Sequence, residues 1–216
     1  MGQILGMRAL VKQLELGVRS RLPVGFRKIY RVSRAVAEQQ PYSQSIPDDL
    51  LAGCRVVSSR YALLHHLPRA GTVAEVGTWE GDFAREILTR AEPRHLHVLD
   101  IDFSRFDPVL ASDPRVTCHQ GLSANVLASF ADEMFDWIYV DADHSYDGVL
   151  ADARAAAPKL KHGGLLIFND FAHVDLEFGR YGVHRAAVDF LLEQRWPMRY
   201  LALHSHALYD IALEKI

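Results

Sequence analysis

Between Thr72 and Asn169 five short apolar runs alternate with helix-periodic segments, and this alternation constrains the chain more than any other feature. The runs Thr72–Gly77, His95–Asp100, Arg115–His119, Trp137–Asp141 and Leu165–Asn169 read as strands. Helices are expected between them near Asp82–Arg90, Ala124–Ala131 and Tyr146–Leu160, with a further one at His184–Gln194. Strands separated by helices imply a parallel sheet covered on both faces, an α/β doubly wound architecture that binds ligands beyond the carboxyl ends of its strands. A further helix is expected around Leu50–Leu67. The tail, two alternating runs meeting at His204-Ser205-His206, reads as an antiparallel hairpin closing the sheet edge.

Charge divides the chain in two. Residues Met1 to Arg34 hold eight basic residues against Glu15 alone, a balance of +7, which leaves −10 for the rest of a chain of net charge −3. Apolar residues at Leu10, Val11, Leu14 and Val18, then Phe26, Ile29, Tyr30 and Ala37, fall at helical spacing on either side of Pro23 and Gly25. The expected organisation is a basic helical appendage with its linker over 1–46 and a single α/β domain over 47–216. The apolar stripes of the appendage would pack on the domain or on a second subunit, giving a homodimer; the alternative is a helix that lies on an anionic membrane surface or binds an acidic partner. No apolar run reaches the roughly 20 residues of a transmembrane helix, and charges interrupt the start before a signal-peptide core can form, so a cytoplasmic protein is expected. Cys54 and Cys118 are far apart, in no metal or redox spacing, and both thiols are expected to be buried. Outside the appendage no basic surface interleaved with aromatics points to nucleic acid.

The chemistry should follow the strand ends. Glu75-Val-Gly77-Thr78-Trp-Glu-Gly81 turns from strand into helix, and its glycines let a ligand approach the backbone. The G-x-x-x-G spacing is wrong for a dinucleotide pyrophosphate, and Glu75 would repel phosphate but suits a cation. Asp100, ending the second strand, is placed to accept both hydroxyls of a ribose; Asp102 is the competing choice. Ser123 in Gly121-Leu-Ser123 either approaches a base or caps the next helix.

The most informative stretch is FDWIYVDADHSYDGVLADARAAAPKLKHGGLLIFNDFAH. Neighbouring strands would bring Asp141, Asn169 and Asp170 together as hard oxygen ligands for a divalent cation such as Mg²⁺, with His144 able to take a proton from a hydroxyl bound there. The alternative is helix capping by Asp143 and Asp147, with His144 a structural group.

From about Thr72 to Leu192 the chain resembles the class I S-adenosylmethionine-dependent methyltransferases, and within them the catechol O-methyltransferase-like group that includes macrolide-sugar O-methyltransferases. Asp141, His144, Tyr146, Gly163-Gly164 and Asn169-Asp170 carry the resemblance, as does Tyr181-Gly182-Val183 through Ala187-Val188 to Phe190. It implies a mostly parallel seven-stranded Rossmann-like sheet with a C-terminal antiparallel hairpin and N-terminal helices. It also implies S-adenosylmethionine at Glu75, Gly77, Thr78, Gly81, Asp100, Ser123 and Asp141, Mg²⁺ at Asp141, Asn169 and Asp170, and His144 as general base with Asp141 beside it. O-methylation of a small sugar, catechol or polyketide is the activity so implied. Asn169 departs from the pattern by removing one negative charge from the metal site. Three alternatives remain at this point: a nicotinamide-dependent oxidoreductase, a metal-dependent enzyme that does not methylate, and a non-catalytic nucleoside-binding module.

Overall fold

The computed structural model describes residues 44–172, 174–175, 179–204 and 208–216, with 174–175 and 179–180 described by their backbone alone. Of the basic appendage and linker expected over 1–46, residues 1–43 lie outside the described residues, as does the centre of the hairpin turn at 205–207. The chain divides into two compact units, one of residues 42–173 with 181–216 and one of residues 1–41 with 174–180. The first of these holds every candidate site residue.

That unit is an eight-stranded sheet with helices on both faces, its strands in the spatial order Arg55–Val57 (β1), Met198–Ala202 (β9), Asp210–Glu214 (β10), Leu160–Phe168 (β6), Phe135–Val140 (β5), Thr72–Val76 (β2), His95–Asp100 (β3) and Val116–Gln120 (β4). The central strands are β2 (Thr72–Val76), β3 (His95–Asp100), β4 (Val116–Gln120), β5 (Phe135–Val140) and β6 (Leu160–Phe168). All five run parallel, as their alternation with helices requires. The helices joining them are α3 (Asp82–Glu86), α4 (Pro108–Ala111), α5 (Ser123–Ser129) and α6 (Tyr146–Ala156), with α7 (Val183–Gln194) after them. α3 continues into a π-helical turn at Ile87–Ala91, and a 3₁₀ turn at Ala157–Lys159 joins α6 to β6. In the other unit β7 (Val174–Asp175) and β8 (Gly179–Arg180) form a short antiparallel pair.

Two expectations about the sheet need correction. The segment expected as one helix around Leu50–Leu67 is instead α1 (Asp48–Leu51), strand β1 (Arg55–Val57) and α2 (Arg60–Leu64). Gly53, at φ +82°, turns the chain between α1 and β1. β1 pairs in parallel outside β9 (Met198–Ala202), so the sheet has eight strands rather than seven. The antiparallel tail hairpin does form, but β10 (Asp210–Glu214) inserts between β9 and β6, and β1 rather than the hairpin is the sheet edge. The two cysteines are free thiols; Cys54 is half-buried and Cys118 exposed on β4, against the expectation that both are buried.

Alternation along the strands sorts the core into two layers. Ala74, Val76, Ile138 and Val140 face α6 and α7, where Val149, Ala153, Ala187 and Phe190 complete the packing. Val73, Trp137 and Tyr139 face α2 and α3, against Leu63, Leu64, Phe83 and Ile87. Full burial of each large side chain contributes about 1.5–3 kcal/mol. Within the described residues no helix is long and apolar enough to cross a membrane.

Candidate functional site

Register sets the site. Val76 pairs with Leu99 on one side and Val140 on the other, and Val140 pairs with Phe168. The next residues along, Gly77, Asp100, Asp141 and Asn169, therefore stand in one row at the carboxyl ends of four adjacent strands. The Gly77 N–H donates to the Leu99 carbonyl at 2.8 Å, Asp141 N–H to Val76 at 2.8 Å and Asn169 N–H to Val140 at 3.0 Å, so the row is held by backbone bonds.

Gly77, Asp100, Ser123 and Asp141 line one cleft of about 620 Å³, a size that suits a cofactor. Gly77 has φ +85°, and a Cβ there would stand 2.2 Å from the Asp141 carbonyl oxygen, so only glycine fits. Asp100 accepts from the Trp79 N–H at 2.8 Å and the Asp102 N–H at 3.1 Å, which fixes its carboxylate at the rim. Asp102 instead accepts from the backbone and hydroxyl of Ser104 and does not line the cleft. Between the two acids, geometry favours Asp100. Ser123 is the first residue of α5 rather than its cap; its hydroxyl donates to Asp152 at 2.6 Å.

The other expected cofactor residues do not reach the cleft wall. Glu75 is 2% exposed and accepts from the Thr78 hydroxyl at 2.8 Å, so the two buried side chains satisfy each other. Gly81 is the N-cap of α3. Burial pushes the Glu75 carboxyl up to about 8, with the Thr78 hydrogen bond opposing and the Asp141 charge adding. Asp210 is likewise pushed up to about 7, first by burial, while the Tyr139 hydroxyl that donates to it at 2.7 Å opposes.

His144 joins two acids of the site. Its Nε2 is 3.2 Å from Asp141 Oδ1 and 3.6 Å from Asp170 Oδ2, and its ring stacks on Tyr181 at 4.4 Å between centroids. The Gly182 N–H donates to the His144 carbonyl at 2.7 Å and ties the loop to the start of α7. Burial disfavours the imidazolium, but the Asp141 hydrogen bond and the charges of Asp141, Asp170 and Asp143 outweigh it and hold the pKa above the usual imidazole value. Ser145, not Asp143 or Asp147, caps α6, accepting from the Gly148 N–H at 3.2 Å.

The expected Mg²⁺ ligands are brought near one another, but their oxygens are engaged otherwise. Asn169 is 6% exposed and its Oδ1 lies 3.2 Å from the Tyr139 hydroxyl, whose single proton it shares with Asp210 at 2.7 Å. Asp141 has His144 on one oxygen and the Arg60 guanidinium 4.0 Å from the other. A divalent cation would have to displace His144 from both carboxylates and tolerate Arg60 beside it, so the donor set does not fit Mg²⁺ in this arrangement. Among the described residues no group of three His, Cys, Asp or Glu side chains is placed to hold a metal. Arg60, Trp79 and Asp152 are site residues that the sequence reasoning missed. Asp152 left a signal, as a charged residue in the stripe Val149, Asp152, Ala153, Ala156 that α6 buries.

Residues 74–171 match a family model described as a methyltransferase domain. That match covers 98 of the 216 residues, a little under half of the chain. The domain's fold is similar to that of the pyocyanin biosynthetic protein PhzM, with TM-score 0.56 and 14% identity over 68% of this chain and 51% of that one. It is also similar to a SAM-dependent methyltransferase from Aquifex aeolicus, at TM-score 0.54 and 11% identity over 69% of this chain and 85% of the other. A third likeness is to the N-methyltransferase NodS from Bradyrhizobium japonicum WM9, at TM-score 0.52 and 16% identity over 73% and 95% of the two chains. The chain thus spans about half the length of PhzM. No curated protein matches it by sequence. The matched residues run from within β2 to just past β6, the part of the sheet whose strand ends build the cleft.

The buried acids of the domain make a pH prediction. Above about pH 6.5 the native fold still holds protons that the unfolded chain has already lost, on Asp210 until about pH 7 and on Glu75 until about pH 8, so stability falls as pH rises through that window. His97, which burial and its neighbours His95 and His119 depress to about 4, acts in the opposite sense but only below the ordinary imidazole value. One such carboxyl costs up to about 1.4 kcal/mol per pH unit. The thermal midpoint should therefore drop between pH 6.5 and 8, and a midpoint that rises there would contradict these assignments.

Proposed function

We propose that the chain uses S-adenosylmethionine to methylate a hydroxyl oxygen of a small molecule. The observation that supports this best is the single row of strand ends that puts Gly77, Asp100 and Asp141 on one cleft and His144 against Asp141. The cleft fits the nucleoside part of the donor: Gly77 permits close approach to the backbone, and Asp100 offers a rim carboxylate to ribose hydroxyls. Glu75, ionising as a cation arrives above it, would balance the charge of the donor's amino group.

S-adenosylmethionine supplies a methyl group already activated on a sulfonium, so the protein has to align the acceptor and remove its proton. Alignment contributes most, on the order of 7–11 kcal/mol in favourable cases. Neutral His144 takes the acceptor proton, and Asp141 and Asp170 hold its ring and stabilise the imidazolium that results. Because those acids hold its pKa above the usual imidazole value, the rate should rise with pH until His144 is neutral.

The test is methyl transfer from labelled S-adenosylmethionine to a panel of sugars, catechols and polyketides, each with Mg²⁺ and with excess chelator. The expected result is transfer to an oxygen at a similar rate in both conditions. Activity that disappears in chelator and returns with Mg²⁺ would show that the site rearranges to take a metal. Transfer to nitrogen alone would contradict the hydroxyl acceptor.

A further inference from the structure

We propose that Asp152 recognises the exocyclic amino group of adenine and makes the cleft selective against 6-oxo purines. This rests on the S-adenosylmethionine reading of the cleft and adds a residue to it. Ala151 and Asp152 follow Gly148 by one turn of α6, and all three line the cleft. Gly148 and Ala151 carry almost no side chain, so a flat ring can lie close to the helix. A Cβ at Gly148 would meet the Asp143 carboxylate at 2.5 Å, so bulk there is excluded.

Asp152 is 1% exposed, yet only one of its oxygens is satisfied. Oδ1 accepts from the Ser123 hydroxyl at 2.6 Å, which orients the carboxylate, while Oδ2 is buried with no hydrogen-bond partner among the described residues. A buried carboxylate oxygen without a donor is costly, and a ligand N–H is the group that would relieve it. Burial accordingly pushes this carboxyl up to about 6, with the Ser123 bond opposing and the Asp143 charge adding. Asp100 and Asp152 line the same cleft, which also includes Gly121 and Ser123 at the start of α5. A nucleoside with its ribose on Asp100 would then have its base beside Ser123 and α6. Adenine presents an N–H donor at its 6-position, whereas hypoxanthine presents an oxygen that a carboxylate repels.

The experiment is calorimetric titration of the full chain with S-adenosylhomocysteine and its deaminated analogue S-inosylhomocysteine. Wild type should bind the adenine compound about 30-fold more tightly or better, since a site built around a donor rejects the analogue that lacks it. In Asp152→Asn the amide can donate to the 6-oxo group, and the ratio should fall below about threefold. A residue that only supports the helix would weaken both ligands alike, so an unchanged ratio in Asp152→Asn overturns the proposal. A wild-type ratio near one does so without any variant. If wild type binds neither compound, the cofactor reading itself fails and this proposal falls with it.

Discussion

Gly77→Ala should destabilise the domain by about 2 kcal/mol or more and abolish detectable binding of S-adenosylhomocysteine. The residue has φ +85°, where any side chain is strained, and the added Cβ would stand 2.2 Å from the Asp141 carbonyl oxygen and 2.7 Å from the Ala142 Cα. Neither backbone can yield cheaply. The Asp141 N–H is bonded to Val76 at 2.8 Å and the Gly77 N–H to Leu99 at 2.8 Å, so relief would break the ladders that align Asp100 and Asp141. Denaturant unfolding and ligand titration of the variant check both halves. A variant as stable as wild type with the same affinity would show that the β2 turn is not a close-approach site.

His144→Ala should lower methyl transfer by about 100-fold or more while leaving the affinity for S-adenosylhomocysteine within about twofold. The imidazole sits between Asp141 and Asp170 but does not line the cleft, which is why binding and turnover should separate. The loss should shrink at higher pH, where the acceptor hydroxyl ionises without help. Equal losses of binding and rate would instead make His144 a structural tie between its loop, Tyr181 and Gly182.

Much of this site was legible because it depends on strand register. Five apolar runs with polar residues at their ends suffice to place Gly77, Asp100, Asp141 and Asn169 at one level, and the ladders show that row. What the sequence could not show is which lone pairs are already taken. Asn169 and Asp170 look like free metal ligands in a linear pattern. In the fold Tyr139, thirty residues earlier, sets its hydroxyl between Asn169 and Asp210, and Arg60, from a helix before β2, faces Asp141. β1 was illegible for a different reason: three residues carry no periodicity, and Arg55–Val57 is a strand only because β9, contributed by the far end of the domain, offers it an edge. Asp152 was hidden among small residues of α6, since its burial depends on the packing of α5 against that helix.

Whether the proposed cofactor cleft holds its ribose on Asp100 is read by calorimetric titration of wild type and Asp100→Ala with S-adenosylhomocysteine. Saturable one-to-one binding to wild type is expected, weakened in Asp100→Ala by roughly 1–3 kcal/mol, about 5- to 150-fold, through loss of hydrogen bonds to a charged group. No heat of binding to wild type, or an affinity that Asp100→Ala leaves unchanged, would contradict it.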